Sequence, residues 1–229
     1  MSGGDPVPHY HGHRDRLRAR LHDIGPDALA DYELLELFLF RLIPRRDVKP
    51  LAKDLIVRFG SLAEILSAPV ARLVEVNGLG LKAAQEIRLI GIMRERAAKA
   101  EIVQRPVISS WSALLNYVQL AIAAAPREQF RVLFLDKKNQ LIADEIMGHG
   151  TVDHAPVYPR EVMRRALELS AAAIILVHNH PSGDPAPSKE DIAVTQQIVA
   201  AARTHDIAVH DHLVVGRKGT ASFKSLGLL

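Results

Sequence analysis

The chain has 229 residues, 48% apolar and 24% charged, with 29 Lys+Arg against 26 Asp+Glu and a formal net charge of +3. This is globular composition, long enough for one large domain or two small ones, each with its own core. There is no cysteine, which excludes disulfides, thiolate zinc fingers, iron–sulfur clusters and a cysteine nucleophile. No apolar run approaches the roughly 18 residues of a membrane span, and the N-terminus carries no apolar secretion segment. A cytoplasmic protein with no membrane partner is expected. Residues 1–100 hold 16 Lys+Arg and 13 Asp+Glu, and the rest of the chain 13 of each. An excess that small describes a solvated surface better than a nucleic-acid partner.

Residues 1–12 are rich in Gly, Pro and His and lack apolar periodicity. They read as a flexible tail, taken to run to residue 23. The pattern is helical from Asp15 to Lys99, and residues 24–104 are taken as an all-helical domain. Leu34, Leu35, Phe38, Leu39 and Leu42 recur at helical spacing until Pro44, and Leu51, Leu55, Ile56 and Phe59 repeat it until Gly60. Ser61 and Glu64 open a further short helix, and another follows Gly80 to about Lys99. Arg105-Pro106 marks a boundary. Residues 105–229 alternate helix and strand: a helix over 111–123, a hairpin of Phe130–Asp136 with Leu141–Met147, and a helix from Pro159 to Leu169. A buried strand over Ala173–Val177, a helix from Ser188, and strands at Ile207–Val215 and Thr220–Phe223 complete the series. The expected fold is α+β overall, with an N-terminal helical domain and a C-terminal α/β domain whose mixed sheet is covered by helices.

The chemistry concentrates at Val177-His178-Asn179-His180-Pro181-Ser182-Gly183-Asp184-Pro185-Ala186-Pro187-Ser188-Lys189-Glu190-Asp191. Strand period puts His178 and His180 on one face, and Pro181 ends the strand. Ser188 is a good N-cap, with Asp191 in the first turn of the helix it opens. Strand end and helix start can meet, bringing two imidazole nitrogens and one carboxylate together. That is the ligand set of an open catalytic zinc site. Fe(II), Mn and Co accept the same donors. Asp184 rivals Asp191 as a ligand, although an Asx-turn accounts for it. His210 and His212 form a second alternating pair, expected at the surface or behind a ligand that they orient. Lone His149, His154 and His205 are expected to be structural or solvated.

These residues resemble a known family. His178-x-His180-Pro181 followed by Ser188-x-x-Asp191 matches the signature of JAMM (MPN-type) zinc metalloproteases, and VHNHPSGDPAPSKED is similar to the bacterial RadC family, whose members are often named DNA repair proteins. FRVLFLDKKNQLIADEI, GTVDHAPVYPREVMRRALEL and VHDHLVVG extend the resemblance over about residues 24–229. It implies one zinc per chain held by His178, His180 and Asp191, with Ser188 hydrogen-bonding the water or the developing oxyanion. It also implies an upstream glutamate as general base. Glu128 has the expected place before the first strand; Glu145, inside a strand and beside Asp144 on what reads as an exposed hairpin face, is the alternative. The reaction would be hydrolysis of a peptide or isopeptide bond in a protein or peptide substrate.

In the helical half, Val76-Asn77-Gly78-Leu79-Gly80 resembles a helix-hairpin-helix turn. Gly78 and Gly80 would free backbone N–H groups for a phosphate, with help from Lys82 and Arg88. The competing function is therefore a DNA-binding or repair-associated adaptor whose metal site is structural or vestigial.

Overall fold

The computed structural model of the chain describes residues 12–44, 46–103, 106–150 and 157–229. It divides into two compact units, Met1–Ile92 and Met93–Leu229. The division falls inside a helix, upstream of the Arg105-Pro106 break expected from sequence.

The first unit is helical. It contains α1 (His13–Asp23), α2 (Asp31–Leu42), α3 (Lys49–Phe59), α4 (Leu62–Ser67), α5 (Val70–Leu73) and the start of α6 (Leu81–Val103). Helix α1 corrects the expectation that the tail runs to residue 23. Its sequence is almost wholly polar, but it buries Leu17, and His13 meets the buried Glu36 of α2 at 3.0 Å. Residues 1–11 of that expected tail lie outside the described residues. Helices α2 and α3 follow the apolar spacing: Leu35, Leu39 and Phe40 pack with Leu51, Ala52 and Leu55 in one core. Ser61 caps α4 by accepting from the Glu64 N–H at 3.2 Å.

The second unit carries the rest of α6, then α7 (Trp111–Ile122), β1 (Gln129–Leu135), β2 (Leu141–His149), α8 (Pro159–Glu168), β3 (Ala173–Asn179), α9 (Lys189–Arg203), β4 (Ala208–Gly216) and β5 (Gly219–Ser222). The sheet order is β2-β1-β3-β4-β5, with β3 and β4 parallel and the other neighbours antiparallel. This is the mixed, helix-covered sheet expected. A parallel pair needs a crossover, and α9 supplies it.

Strand β3 is the central strand and is buried along its whole length, as its unbroken apolar run predicts. Its odd-numbered residues Ala173, Ile175 and Val177 join Leu133, Leu213 and Val215 against Leu114, Val118 and Ile122 of α7. Its even-numbered residues Ile174 and Leu176 join Phe130, Val132 and Phe134 against Val162 and Ala166 of α8 and Ile198 and Ala202 of α9. Each of the Val, Leu, Ile and Phe side chains among them contributes roughly 1.5–3 kcal/mol by leaving water. The α8/α9 face is the one on which the strand ends at His178.

Asp144 departs from its sequence reading as an exposed hairpin residue. Its side chain is 0% exposed, with Arg131 Nε at 3.2 Å and Lys99 Nζ at 3.5 Å. The Tyr117 hydroxyl donates to it, and burial together with that carboxylate pushes the tyrosine pKa up. A carboxylate can be buried there because two cations and a donor replace its water.

Leu176 is 0% exposed between the two layers. Leu176→Ala should cost about 2–5 kcal/mol. Urea unfolding followed by the fluorescence of Trp111, the single tryptophan and part of the same unit, would read the loss.

Candidate metal centre

The site is built where β3 ends and α9 begins. His178 is the penultimate residue of β3 and pairs with Phe130 across to β1. The His180 N–H donates to the Val215 carbonyl at 2.9 Å, which carries the backbone one step past the strand. The two imidazoles therefore share a face, as period two requires. The loop then folds back. The Gly183 N–H donates to the His180 carbonyl at 2.9 Å, and Arg217 and Lys218 of the β4–β5 turn donate to the Pro181 and Gly183 carbonyls. Gly216 makes this approach possible, since a Cβ there would lie 2.4 Å from the Gly183 carbonyl oxygen.

Ser188 caps α9 in a full capping box. Its Oγ accepts from the Asp191 N–H at 3.1 Å, and the Ser188 N–H donates to Asp191 Oδ2 at 2.7 Å. That cap presents the Asp191 carboxylate to the histidines. His178 Nε2 is 3.2 Å from Oδ1, His180 Nε2 is 3.3 Å from Oδ2, and the two Nε2 atoms are 3.0 Å apart. Donors around a tetrahedral divalent ion with bonds of ~2.0–2.1 Å would stand ~3.3 Å apart. The arrangement fits, and among the described residues these three are the cluster able to hold a metal ion.

The far side of each ring is also held. His180 Nδ1 lies 2.9 Å from the Asp184 backbone carbonyl, and His178 Nδ1 lies 2.8 Å from His212 Nε2. Phe130 stacks on His178 at 6.0 Å and 6°. A neutral imidazole held through Nδ1 offers Nε2 as a lone pair.

Electrostatics at the site follow from these contacts. Burial pushes the Asp191 carboxyl up, but hydrogen bonds from His178, His180 and the Ser188 N–H outweigh it and hold the group well below the usual carboxylate range. The Asp191 hydrogen bond raises the His180 pKa against the effect of burial. Burial, with His178 beside it, drives the His212 pKa well below its ordinary value, so this ring is neutral.

Glu128 is 7% exposed and immediately precedes β1. The β1–β3 ladder ends at the pair Phe130 and His178; Glu128 lies two residues before Phe130 in the chain and His180 two residues after His178. The Glu128 charge is felt at His180, raising that pKa. Asn179 fixes this segment: its Oδ1 accepts from the Gln129 N–H at 2.9 Å, and its Nδ2 donates to the Ala125 and Arg127 carbonyls at 3.4 and 3.3 Å. Glu145 goes elsewhere. Both its oxygens accept from Arg165 of α8, at 2.6 and 2.8 Å, and that pairing lowers its pKa.

The remaining candidates separate cleanly. Asp184 does not join the carboxylate cluster. Its Oδ1 accepts from the Ala186 N–H at 3.0 Å in the expected Asx-turn, while its backbone carbonyl orients His180. The second histidine pair splits. A bulge between Ile174 and Ile175 leaves His210 without a partner in the β3–β4 register, and its ring meets Asn139 Oδ1 at 2.6 Å. His212 falls behind His178 instead. His205 is exposed, and His154 lies outside the described residues. Sequence reasoning missed Thr195, which is 1% exposed and lies 2.6 Å from His212 Nδ1. Its spacing of four from Asp191, on the same face of α9, was the available signal.

At the turn before α6, Gly78 takes a left-handed φ of 86° and Gly80 and Lys82 are exposed. Arg88 is not directed outward with them, since Nη1 lies 3.5 Å from the Leu66 carbonyl.

Two family models match the chain. The one described as RadC-like JAB domain matches residues 108–228, and the one described as UPF0758 N-terminal matches residues 11–85. Among the described residues, no helix is long and apolar enough to cross a membrane.

Asp191→Ala should abolish binding of a divalent ion, tested with zinc by equilibrium dialysis and elemental analysis. Asp184→Ala should retain it. The reverse pattern would move the carboxylate ligand into the loop.

Proposed function

The chain belongs to the RadC-like JAB domain family, and on that premise we propose that it is a zinc-dependent hydrolase of peptide or isopeptide bonds, with one zinc per chain. The observation that carries the reading is the convergence of His178 Nε2, His180 Nε2 and the Asp191 carboxylate, with buried Glu128 across the strand end. When bound, the metal supplies Lewis acidity, acidifying a coordinated water and polarising the scissile carbonyl. His178, His180 and Asp191 would hold it, and three protein ligands leave a position for water and substrate. Glu128 takes the proton of the attacking water and returns it to the leaving amine. The Ser188 oxygen already accepts from the Asp191 N–H, so its hydroxyl proton is the donor for the oxygen that gains charge in the tetrahedral intermediate.

Metal content and turnover of a fluorogenic peptide library separate the roles. Glu128→Gln should keep about one zinc and lose roughly 10²–10⁴-fold in rate. Glu145→Gln should keep both and cost at most about 1 kcal/mol of stability, since it breaks only a half-exposed ion pair. Wild type that binds no added zinc, or full turnover by Glu128→Gln, would overturn the assignment.

For the helical unit we propose a second role, contact with DNA phosphates at the turn before α6. Gly78 takes a left-handed φ, Gly80 is exposed just before a long helix whose first N–H groups would face the phosphate, and exposed Lys82 adds a charge. Under this reading Lys82→Glu weakens duplex binding at low salt and flattens its salt dependence, with zinc content unchanged. Equal affinity for wild type and variant would remove the turn from consideration.

A further inference from the structure

When His178 Nε2 holds a cation, the hydrogen bonds behind the ring run in one direction. Thr195 Oγ1 lies 2.5 Å from the Asp191 backbone carbonyl oxygen. A carbonyl cannot donate, so the hydroxyl proton points to it. Thr195 Oγ1 is also 2.6 Å from His212 Nδ1. With its single proton committed, the hydroxyl can only accept there, so His212 carries its hydrogen on Nδ1. A cation on His178 Nε2 leaves that ring's hydrogen on Nδ1, 2.8 Å from His212 Nε2, which then accepts. His178 donates through Nδ1, and its Nε2 is the atom turned toward His180 and Asp191.

We propose that Thr195 and His212 are positioning residues of the metal centre: a one-way chain of hydrogen bonds from His178 through His212 and Thr195 to the Asp191 carbonyl locks His178 in the tautomer that ligates through Nε2. The inference rests on His178 being a ligand in the function proposed above.

Burial makes the chain restrictive. Thr195 is 1% exposed and His212 is 0% exposed, so no bulk water can replace a missing partner. A buried hydroxyl in an apolar helix face gains nothing over a methyl unless it is bonded, and here both of its capacities are used. His212 is also wedged between rings, 4.5 Å from Phe223 and 5.4 Å from Phe130, which prevents it from turning. The circuit closes on one residue. Asp191 supplies the carboxylate to the metal side and, through its backbone carbonyl four residues before Thr195, the last acceptor on the other. A shift of the first turn of α9 therefore moves the carboxylate and the orientation of His178 together.

The test is zinc affinity of the full chain, measured by competition with a chromophoric chelator. Thr195→Val keeps the shape and removes the hydroxyl. It should weaken zinc binding by about 10–100-fold, the usual cost of losing a partner behind a ligand, and the metal-free variant should melt lower as well, because the buried His212 Nδ1–H loses its acceptor. Thr195→Ser restores the hydroxyl and should recover affinity, a rescue that packing alone does not explain. In the zinc-loaded wild type, ¹⁵N-detected imidazole spectra should show His212 protonated at Nδ1. This measurement decides the question if the valine variant does not fold. An unchanged affinity in Thr195→Val, or a His212 ring protonated at Nε2, overturns the relay while the hydrolase reading stands. A wild type that binds no zinc overturns both.

Discussion

Three acceptors converge where β3 ends: two imidazole nitrogens 3.0 Å apart and one carboxylate 3.2–3.3 Å from them. Lone pairs and a negative charge brought this close in a partly buried site repel unless a proton or a cation lies among them. The rest of the second unit can be read as the means of holding that arrangement. Strand β3 is the central strand, packed on both faces, so its end cannot drift. His178 is anchored by β1 on one side and β4 on the other. The rigidity comes from the sheet core, and the converging atoms inherit it.

The carboxylate arrives differently. Asp191 occupies the position in α9 where an acidic residue is favoured by the helix dipole and by the cap itself. One oxygen completes the capping box with Ser188 while both face the histidines. Helix formation and site assembly are thus the same event on this side. The shift of the Asp191 pKa shows which effect prevails: burial opposes the charge, and the hydrogen bonds from the two histidines and the cap overcome it.

Much of this was legible in the chain. Period two in His178-Asn179-His180, the stop at Pro181 and the spacing of Ser188 to Asp191 are local signals, and local geometry honours them. The alternation of elements after residue 105 likewise reads directly as a covered mixed sheet. What failed to show were features whose partners lie far away. The helical pattern is readable from Asp15, but the polar sequence of α1 gives no sign that Leu17 and His13 will find α2. Asp144 looks like a solvated strand residue until Lys99, Arg131 and Tyr117 surround it. The two histidines of β4 look equivalent, and only a bulge opposite Ile174 and Ile175, invisible in the spacing, sends His212 to the metal centre and His210 to Asn139.

The middle residue of the histidine pair shows how little of the motif is spare. Asn179 sits between His178 and His180, so the pleat turns it to the opposite face of β3. There it meets the connection from α7 to β1 and holds it by three hydrogen bonds, to Ala125, Arg127 and Gln129. Each is worth about 0.5–1.5 kcal/mol net, but their position matters more than their sum. They fix the residues on either side of the buried Glu128. An apolar residue would suit the buried strand equally well for packing, and would leave that connection to choose its own path. Three consecutive residues at one strand end therefore place two imidazoles of the cluster able to hold a metal ion and fix the segment that carries Glu128, through the alternation of side chains in an extended backbone.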